Sequence, residues 1–263
     1  MDSPVVVVGG GVMAFTSAVR LLEAGFTDVT LVAESFTGIT SKSSPAVFRP
    51  DWLGETPPDR VVEWGLETRA HLAEVYRQDG SGAGVTCADH LEIYRRDAGE
   101  DACARSPVLS QVMDGFRAMT PTELECHFPA ADGGWHYSSF VIEGSRYLPY
   151  LRERGLGLGL RIKEATVSGT PGSSPADSRE GPGWSEGSIE FLLSAADTAQ
   201  RPDCCTVINC MGLRGGAECY PVRGQLVLVR APWVCRMTFT TLVSCTEHED
   251  PYSMRRCMHG VGT

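Results

Sequence analysis

The chain of 263 residues has no apolar run of the ~18 residues that a membrane-spanning helix needs, so no transmembrane helix is expected. Its start carries no basic n-region and no small-residue cleavage site. Val5 to Val8 already read as a strand, so no secretory signal is expected. No C-x-x-C occurs among the ten cysteines, although Cys204 and Cys205 are adjacent. That removes the usual signals for a zinc ribbon and a redox dithiol, and no metal site is expected. Without a secretory signal the thiols are expected to be reduced, most of them as small buried hydrophobes. Positive charge is the scarcer sign, 23 Lys and Arg against 33 Asp and Glu, for a net charge of −10. This balance speaks against nucleic acid as a partner, while one local arginine can still hold an anionic substrate in a pocket. No acid–base triad stands out in the sequence.

What is present is ordinary globular composition, 42% hydrophobic and 21% charged, in a chain long enough for one or two domains. Its organising stretch runs from Val5 to Glu34. Four consecutive valines suit a strand buried on both faces, because β-branched side chains pack well on a pleated sheet. Gly9, Gly11 and Ala14 then fill the G-x-G-x-x-G/A pattern. Gly9 permits the tight turn, Gly11 lets a pyrophosphate approach the backbone, and Ala14 lets the helix pack close to the strand. Val12, Phe15, Val19, Leu22 and Phe26 recur at helical spacing, and Gly25 is a plausible C-cap. Val29 to Ala33 reads as the next strand, ending at Glu34, where an acid can accept hydrogen bonds from ribose hydroxyls. A pyrophosphate would sit on the N–H groups of Val12, Met13 and Ala14, at the positive end of the helix dipole. The unit predicts dinucleotide binding over a glycine-rich turn in another α/β domain. By itself it does not separate FAD from NAD.

Residues 35–50 read as a polar loop whose hydroxyls and amides line a cofactor or simply face solvent. Val61 to Gln78 reads as an amphipathic helix with Val62, Leu66, His71, Leu72 and Val75 near one side, and Trp64 is taken as packing. Gly80 to Gly84 is a turn, and His90 to Tyr94 alternates as a strand. Ser106 to Met113 reads as a short helix. Thr120, Pro121 and Glu123 have the spacing of a capping box that starts a second one. Gly134 to Ile142 is a second alternating strand, and its His136 is read as a half-buried histidine with a hydrogen-bond partner in preference to a base. A helix follows from Ser145, then a strand over Leu160 to Lys163. Residues 168–187 are rich in Gly, Ser and Pro and read as a disordered insertion, and Ser188 to Leu193 resumes a strand.

Four stretches together resemble the D-amino-acid oxidase and D-aspartate oxidase family of FAD flavoproteins. They are Ala33 to Pro50, Gly115 to Leu151, Thr206 to Gly212 and Pro221 to Val229 with its Arg223-Gly224-Gln225. The resemblance implies that Glu34 and Ser35 meet the ribose and that Thr40, Ser41 and Lys42 lie along the cofactor. Ala46 and Val47 would lie beside the isoalloxazine, Val167 would hold the adenine, and Gly212 would stand behind the FAD. Where the family usually has Gly this chain has Ala46, and Met211 replaces a threonine. On chemical grounds Arg223 could meet substrate, but a structural charge near the domain junction is the favoured reading. Tyr252 falls on a family tyrosine that binds the substrate carboxylate, and His248 where a lid tyrosine often stands.

The implied fold class is α/β: a Rossmann-like FAD-binding domain, 1–55 and 145–216, with a discontinuous second α+β substrate domain, 56–144 and 217–263, incomplete at the C-terminus. The family pattern continues for roughly another hundred residues, a half-domain carrying the arginine that pairs with the substrate carboxylate. The expectation is an FAD-dependent oxidase of D-amino acids, consuming oxygen and releasing hydrogen peroxide, with Tyr252 its only recognisable substrate contact and turnover weak or absent unless Arg255 or Arg256 substitutes. A non-catalytic flavoprotein relative and an NAD-dependent dehydrogenase are the alternatives. The resemblance leaves room for a homodimer. It suggests a peroxisomal or cytoplasmic setting, although Val261-Gly262-Thr263 is no S-K-L signal.

Overall fold

A computed structural model describes residues 3–50, 53–94, 107–129, 131–165, 205–212, 234–241 and 256–262. In chain order the elements are β1 (Val5–Val8), α1 (Val12–Glu23), β2 (Val29–Ala33), α2 (Thr40–Ser43), β3 (Pro45–Val47), α3 (Pro58–Gln78) and β4 (Val85–Tyr94). Then come α4 (Leu109–Val112), β5 (Asp114–Ala118), α5 (Pro121–His127), β6 (Gly133–Glu143), α6 (Gly144–Gly157), β7 (Arg161–Glu164), β8 (Thr206–Asn209), β9 (Val234–Thr241) and β10 (Arg256–Gly262). They form two compact units, Met1–Pro45 with Glu143–Leu226 and Ala46–Ile142 with Val227–Thr263. The chain changes unit at Pro45, earlier than residue 55, because β3 already joins the second unit's sheet.

The first unit is built on a four-stranded sheet in the order β7-β2-β1-β8. Its ladders are parallel, with Val5 opposite both Val29 and Thr206. The valines of β1 are at most 2% exposed, and burying each contributes roughly 1.5–3 kcal/mol. Thr30 is the one polar residue buried in β2. Its hydroxyl accepts from Arg161 Nη2 at 2.9 Å, which answers the polar group and pins β7 to β2. Helix α1 buries Ala14, Phe15, Ala18, Val19 and Leu22. It ends in a Schellman motif: Gly25, at φ +93°, donates to Leu22 O at 3.0 Å and Phe26 to Leu21 O at 3.1 Å. Helix α6 runs from Gly144 to Gly157, one residue earlier than the start expected at Ser145. Arg154 Nε donates to Glu23 at 2.8 Å; burial opposes the Glu23 charge, but Arg154 and Arg20 outweigh it and hold that carboxyl below its ordinary range.

The second unit carries a mixed sheet in the order β10-β9-β4-β6-β3, with β5 paired to β6. Strands β4 and β6 are antiparallel from Val85 opposite Ile142 to Tyr94 opposite Gly133. On one face Leu91, Ile93 and Met119 form a core covered by Leu124, Phe128 and Ala131. Helix α5 reaches that face from a complete capping box, in which Thr120 Oγ1 accepts from the Glu123 N–H and the Glu123 carboxylate accepts from the Thr120 N–H. The opposite face holds a ladder of rings. His90 stacks on Tyr137 at 5.6 Å, Tyr137 on Phe116 at 5.8 Å and Phe116 on Trp135 at 5.3 Å. Beside His90 the pair Arg49–Glu92 is half-buried, and Ser139 donates to Phe48 O at 2.6 Å. His136 is 22% exposed with Nε2 3.7 Å from the Asp89 carboxylate.

Two local expectations are corrected. The loop after Glu34 contains α2 and the edge strand β3. The buried stripe of α3 is Val61, Gly65, Leu72 and Val75, leaving Leu66 and Trp64 exposed at 40% and 47%. Gly65 turns the helix, since its missing side chain lets Val112 and Pro50 approach to within 3.0–3.2 Å of the Cβ position. Of the cysteines whose side chains are described, Cys87 and Cys126 are exposed and Cys205 and Cys210 half-buried, with Cys205 packed against the core of Val6, Val8 and Val32. The strand over Ser188 to Leu193, the insertion 168–187, Arg223 and His248 lie outside the described residues.

His90 makes stability depend on pH. Burial, with a smaller push from Arg49 and against the pull of Asp89, lowers its pKa to about 4. Its contribution is whole above the unfolded value near 6.5 and is lost as pH falls toward 4, because the unfolded chain binds the proton first. Urea unfolding at pH 7 and pH 5 should show lower stability at pH 5. His90→Phe keeps a ring in the stack and should flatten that difference, whereas an unchanged slope in this variant would assign the effect elsewhere.

Candidate functional site

The candidate site lies at the carboxyl ends of β1, β2 and β8. In the order β7-β2-β1-β8 the chain direction of the sheet's growth reverses between β1 and β8, and ligands of open α/β sheets bind at such a switch point. Strand β1 leaves through Gly9, whose N–H donates to Val32 O at 2.8 Å. Gly9 has φ +135°, and a Cβ there would collide with the Cys210 carbonyl oxygen and lie 2.7 Å from its carbon. Cys210 is held in place by its own N–H, which donates to Val8 O at 2.8 Å. Gly10 is hemmed in from the other side, its Cβ position 2.6 Å from Ser35 O. The turn is therefore wedged between the exits of β8 and β2. The G-x-G-x-x-G/A pattern leaves Gly10 unspecified, and only the run of three glycines marked it.

Gly11 is the N-cap of α1 and has no side chain to cap with. The first intrahelical bond runs from Phe15 N–H to Gly11 O at 3.2 Å. The N–H groups of Val12, Met13 and Ala14 thus precede the helical ladder. Ser41 Oγ, from α2, accepts from Val12 at 3.1 Å. No acidic residue stands in the first turn, so nothing on α1 itself neutralises its positive end. Ala14 is fully buried against the sheet, and Met13 is 67% exposed.

Glu34 follows β2 directly and is exposed. Behind it Ser35 Oγ accepts from Thr37 N–H at 3.0 Å, and Phe36 packs on Phe15 with ring centroids 5.8 Å apart, fastening the loop to α1. Thr40 opens α2 and Lys42 is exposed on it; Ser44 donates back to Thr40 O at 2.9 Å. After β8, Met211 N–H donates to the Asn209 side chain at 3.1 Å, and Gly212 takes φ +60°. Gly9, Gly11, Val12, Met13, Ala14, Glu34, Ser35, Thr40, Ser41, Lys42 and Gly212 thus all belong to the first unit. Ala46 and Val47 lie on β3 in the second unit, and Val167 and Tyr252 fall outside the described residues. Chemically, the first-unit set offers N–H groups, the hydroxyls of Ser35, Thr40 and Ser41, one lysine and no acid in the first turn of α1, which suits a phosphate-bearing ligand. Among the described residues no cluster of His, Cys, Asp or Glu could hold a metal ion. None of the described helices is long and apolar enough to cross a membrane.

A parallel sheet, a glycine turn at its switch point and an acid after the second strand define the Rossmann-like class. The chain belongs to the FAD dependent oxidoreductase family, whose model matches residues 4–260. It is 29% identical to D-aspartate oxidase of Homo sapiens over 239 residues, covering 88% of this chain and 60% of that protein. D-amino-acid oxidase of Rubrobacter xylanophilus is 30% identical over 234 residues, covering 86% of this chain and 59% of that protein. D-aspartate oxidase 2 of Caenorhabditis elegans is 25% identical over 258 residues, covering 93% and 67% respectively. The chain spans about three fifths of the length of the first two.

The glycines should separate by variant. Gly9→Ala combines a positive φ with a backbone collision and should cost at least roughly 2–3 kcal/mol. Gly11→Ala meets only the Ser41 hydroxyl at 3.1 Å and should cost under about 1 kcal/mol. Urea midpoints measure both, and equal losses would show that the wedge at Gly9 is not what holds the turn.

Proposed function

We propose that the first unit binds FAD and that the protein is a flavoprotein oxidase of D-amino acids, yielding a 2-oxo acid, ammonia and hydrogen peroxide. The observation that carries this is the N-terminus of α1, with no acid in its first turn, at the β1/β8 switch point, and Glu34 following β2. The D-aspartate and D-amino-acid oxidases among its relatives support the substrate class. The residues present fit the cofactor: the side-chain-free Gly9–Gly11 turn and the α1 amides for the pyrophosphate, and an exposed carboxylate for the ribose hydroxyls. When bound, FAD accepts the substrate hydride and passes the electrons to oxygen.

The chain's own residues bind and orient. Met13 and Ala14 present N–H groups to the pyrophosphate, and Val12 acts through the Ser41 hydroxyl that accepts its N–H. Glu34 and Ser35 take the ribose, Thr40 and Lys42 follow the cofactor, and Ala46 and Val47 meet the isoalloxazine edge. Val167 takes the adenine, Gly212 backs the cofactor, and Tyr252 donates its phenol to the substrate carboxylate. That single neutral donor is worth roughly 0.5–3 kcal/mol, the upper part for a charged acceptor.

FAD titration of the purified chain tests the binding. Glu34→Ala should weaken it by roughly 1.5–3 kcal/mol, and unchanged affinity would remove Glu34 from the ribose. A chain that ignores FAD but binds NADH would be a dehydrogenase instead. The chemistry is read from peroxide release by the FAD-saturated chain on neutral and acidic D-amino acids. Tyr252→Phe should lower that release severalfold, through a higher KM. Turnover indifferent to Tyr252→Phe would take substrate binding away from Tyr252, and no peroxide from any D-amino acid would overturn the oxidase reading.

A further inference from the structure

Gly144 opens α6, where the chain returns to the first unit. A Cβ at this position would collide with the carbonyl oxygen of Ser41 and lie 3.2 Å from its carbonyl carbon and 3.5 Å from Lys42 Cα. Backbone, not a pliable side chain, occupies that space, so α2 rests directly on the first residue of α6. Gly144 is not at positive φ, and its backbone conformation gives no reason for glycine. Helix propensity alone would favour alanine there. The contact with α2 is what requires its missing side chain.

From this seat Ser41 Oγ accepts from Val12 N–H at 3.1 Å, supplying from another segment the cap that Gly11 cannot. With that N–H on its oxygen, the hydroxyl proton is directed away from α1 and is available to a phosphate oxygen. The two bonds in series polarise one another. We propose that Gly144 is a positioning residue for the cofactor: by admitting α2, it sets the Ser41 hydroxyl between the α1 N-terminus and the pyrophosphate. This rests on the FAD reading above.

The test is a double-mutant cycle on the full chain. FAD affinity is followed by flavin fluorescence for wild type, Ser41→Ala, Gly144→Ala and the double variant, with amide exchange at Val12 measured without FAD. Each single variant should bind FAD about five- to tenfold more weakly, the loss of one hydrogen bond. The double variant should bind no more weakly than either single one, because both remove the same contact. Ser41→Thr should restore affinity. Exchange at Val12 should speed up in both single variants. A Gly144→Ala chain that binds FAD like wild type, or losses that add in the double variant, would overturn the coupling. Should Gly144→Ala not fold, Ser41→Ala with unchanged affinity overturns it. Wild type that takes no FAD defeats both the cofactor reading and the positioning role of Gly144, whereas unaltered Val12 exchange in a chain that binds FAD defeats only the seat.

Discussion

The backbone of Cys210 lies against the Cα of Gly9, where any side chain on that Cα would collide with it. Much of the first unit's arrangement follows from this approach. Cys210 reaches that position because its N–H continues the β1–β8 ladder onto Val8 O. Gly9 answers by taking a left-handed φ, which swings the chain out of the sheet and starts α1 over the strand ends. Gly10 then clears the exit of β2. The positive end of α1 is thereby brought to the edge between three strands, with the exposed Glu34 following one of them. A helix dipole is felt only within its first turn, so this placement decides where an anion can be bound.

A second set of contacts holds the cofactor-side loop. Phe36 is packed on Phe15, Ser35 on Gly10 and Ser41 on both Val12 and Gly144. Each is a contact between segments well separated in the chain, and together they hold the loop to α1 and α6. The second unit meets a different demand, since its central strands carry polar groups into the interior. The Arg49 and Glu92 side chains are 10% and 15% exposed. Burial keeps His90 neutral against the pull of Asp89.

Much of this was legible along the chain. The valine strand, the glycine turn, the Schellman end of α1 at Gly25 and the capping box at Thr120 each depend on a few adjacent residues. Family resemblance implied that Thr206 to Gly212 belongs to the FAD-binding domain, and the pairing of Val207 to Asn209 with β1 came from the tertiary structure. Periodicity found α3 but misplaced its buried face, because an apolar stripe is broad and Gly65, which is not apolar, decides which side packs. Cysteine composition suggested buried thiols, and the two exposed and two half-buried ones depend on neighbours that composition does not name.

Residue type and spacing by themselves determined the elements whose causes are local: strands by β-branching, turns by glycine, helix ends by caps. Tertiary structure alone decided which glycines are obligatory and which hydroxyl caps α1. Gly144 looks like an ordinary helix-opening residue until Ser41 is seen against it, and Gly10 looks dispensable until Ser35 is. The reason is physical: a steric limit or a hydrogen bond between distant segments belongs to the pair of surfaces that meet, and neither segment carries it in its own pattern.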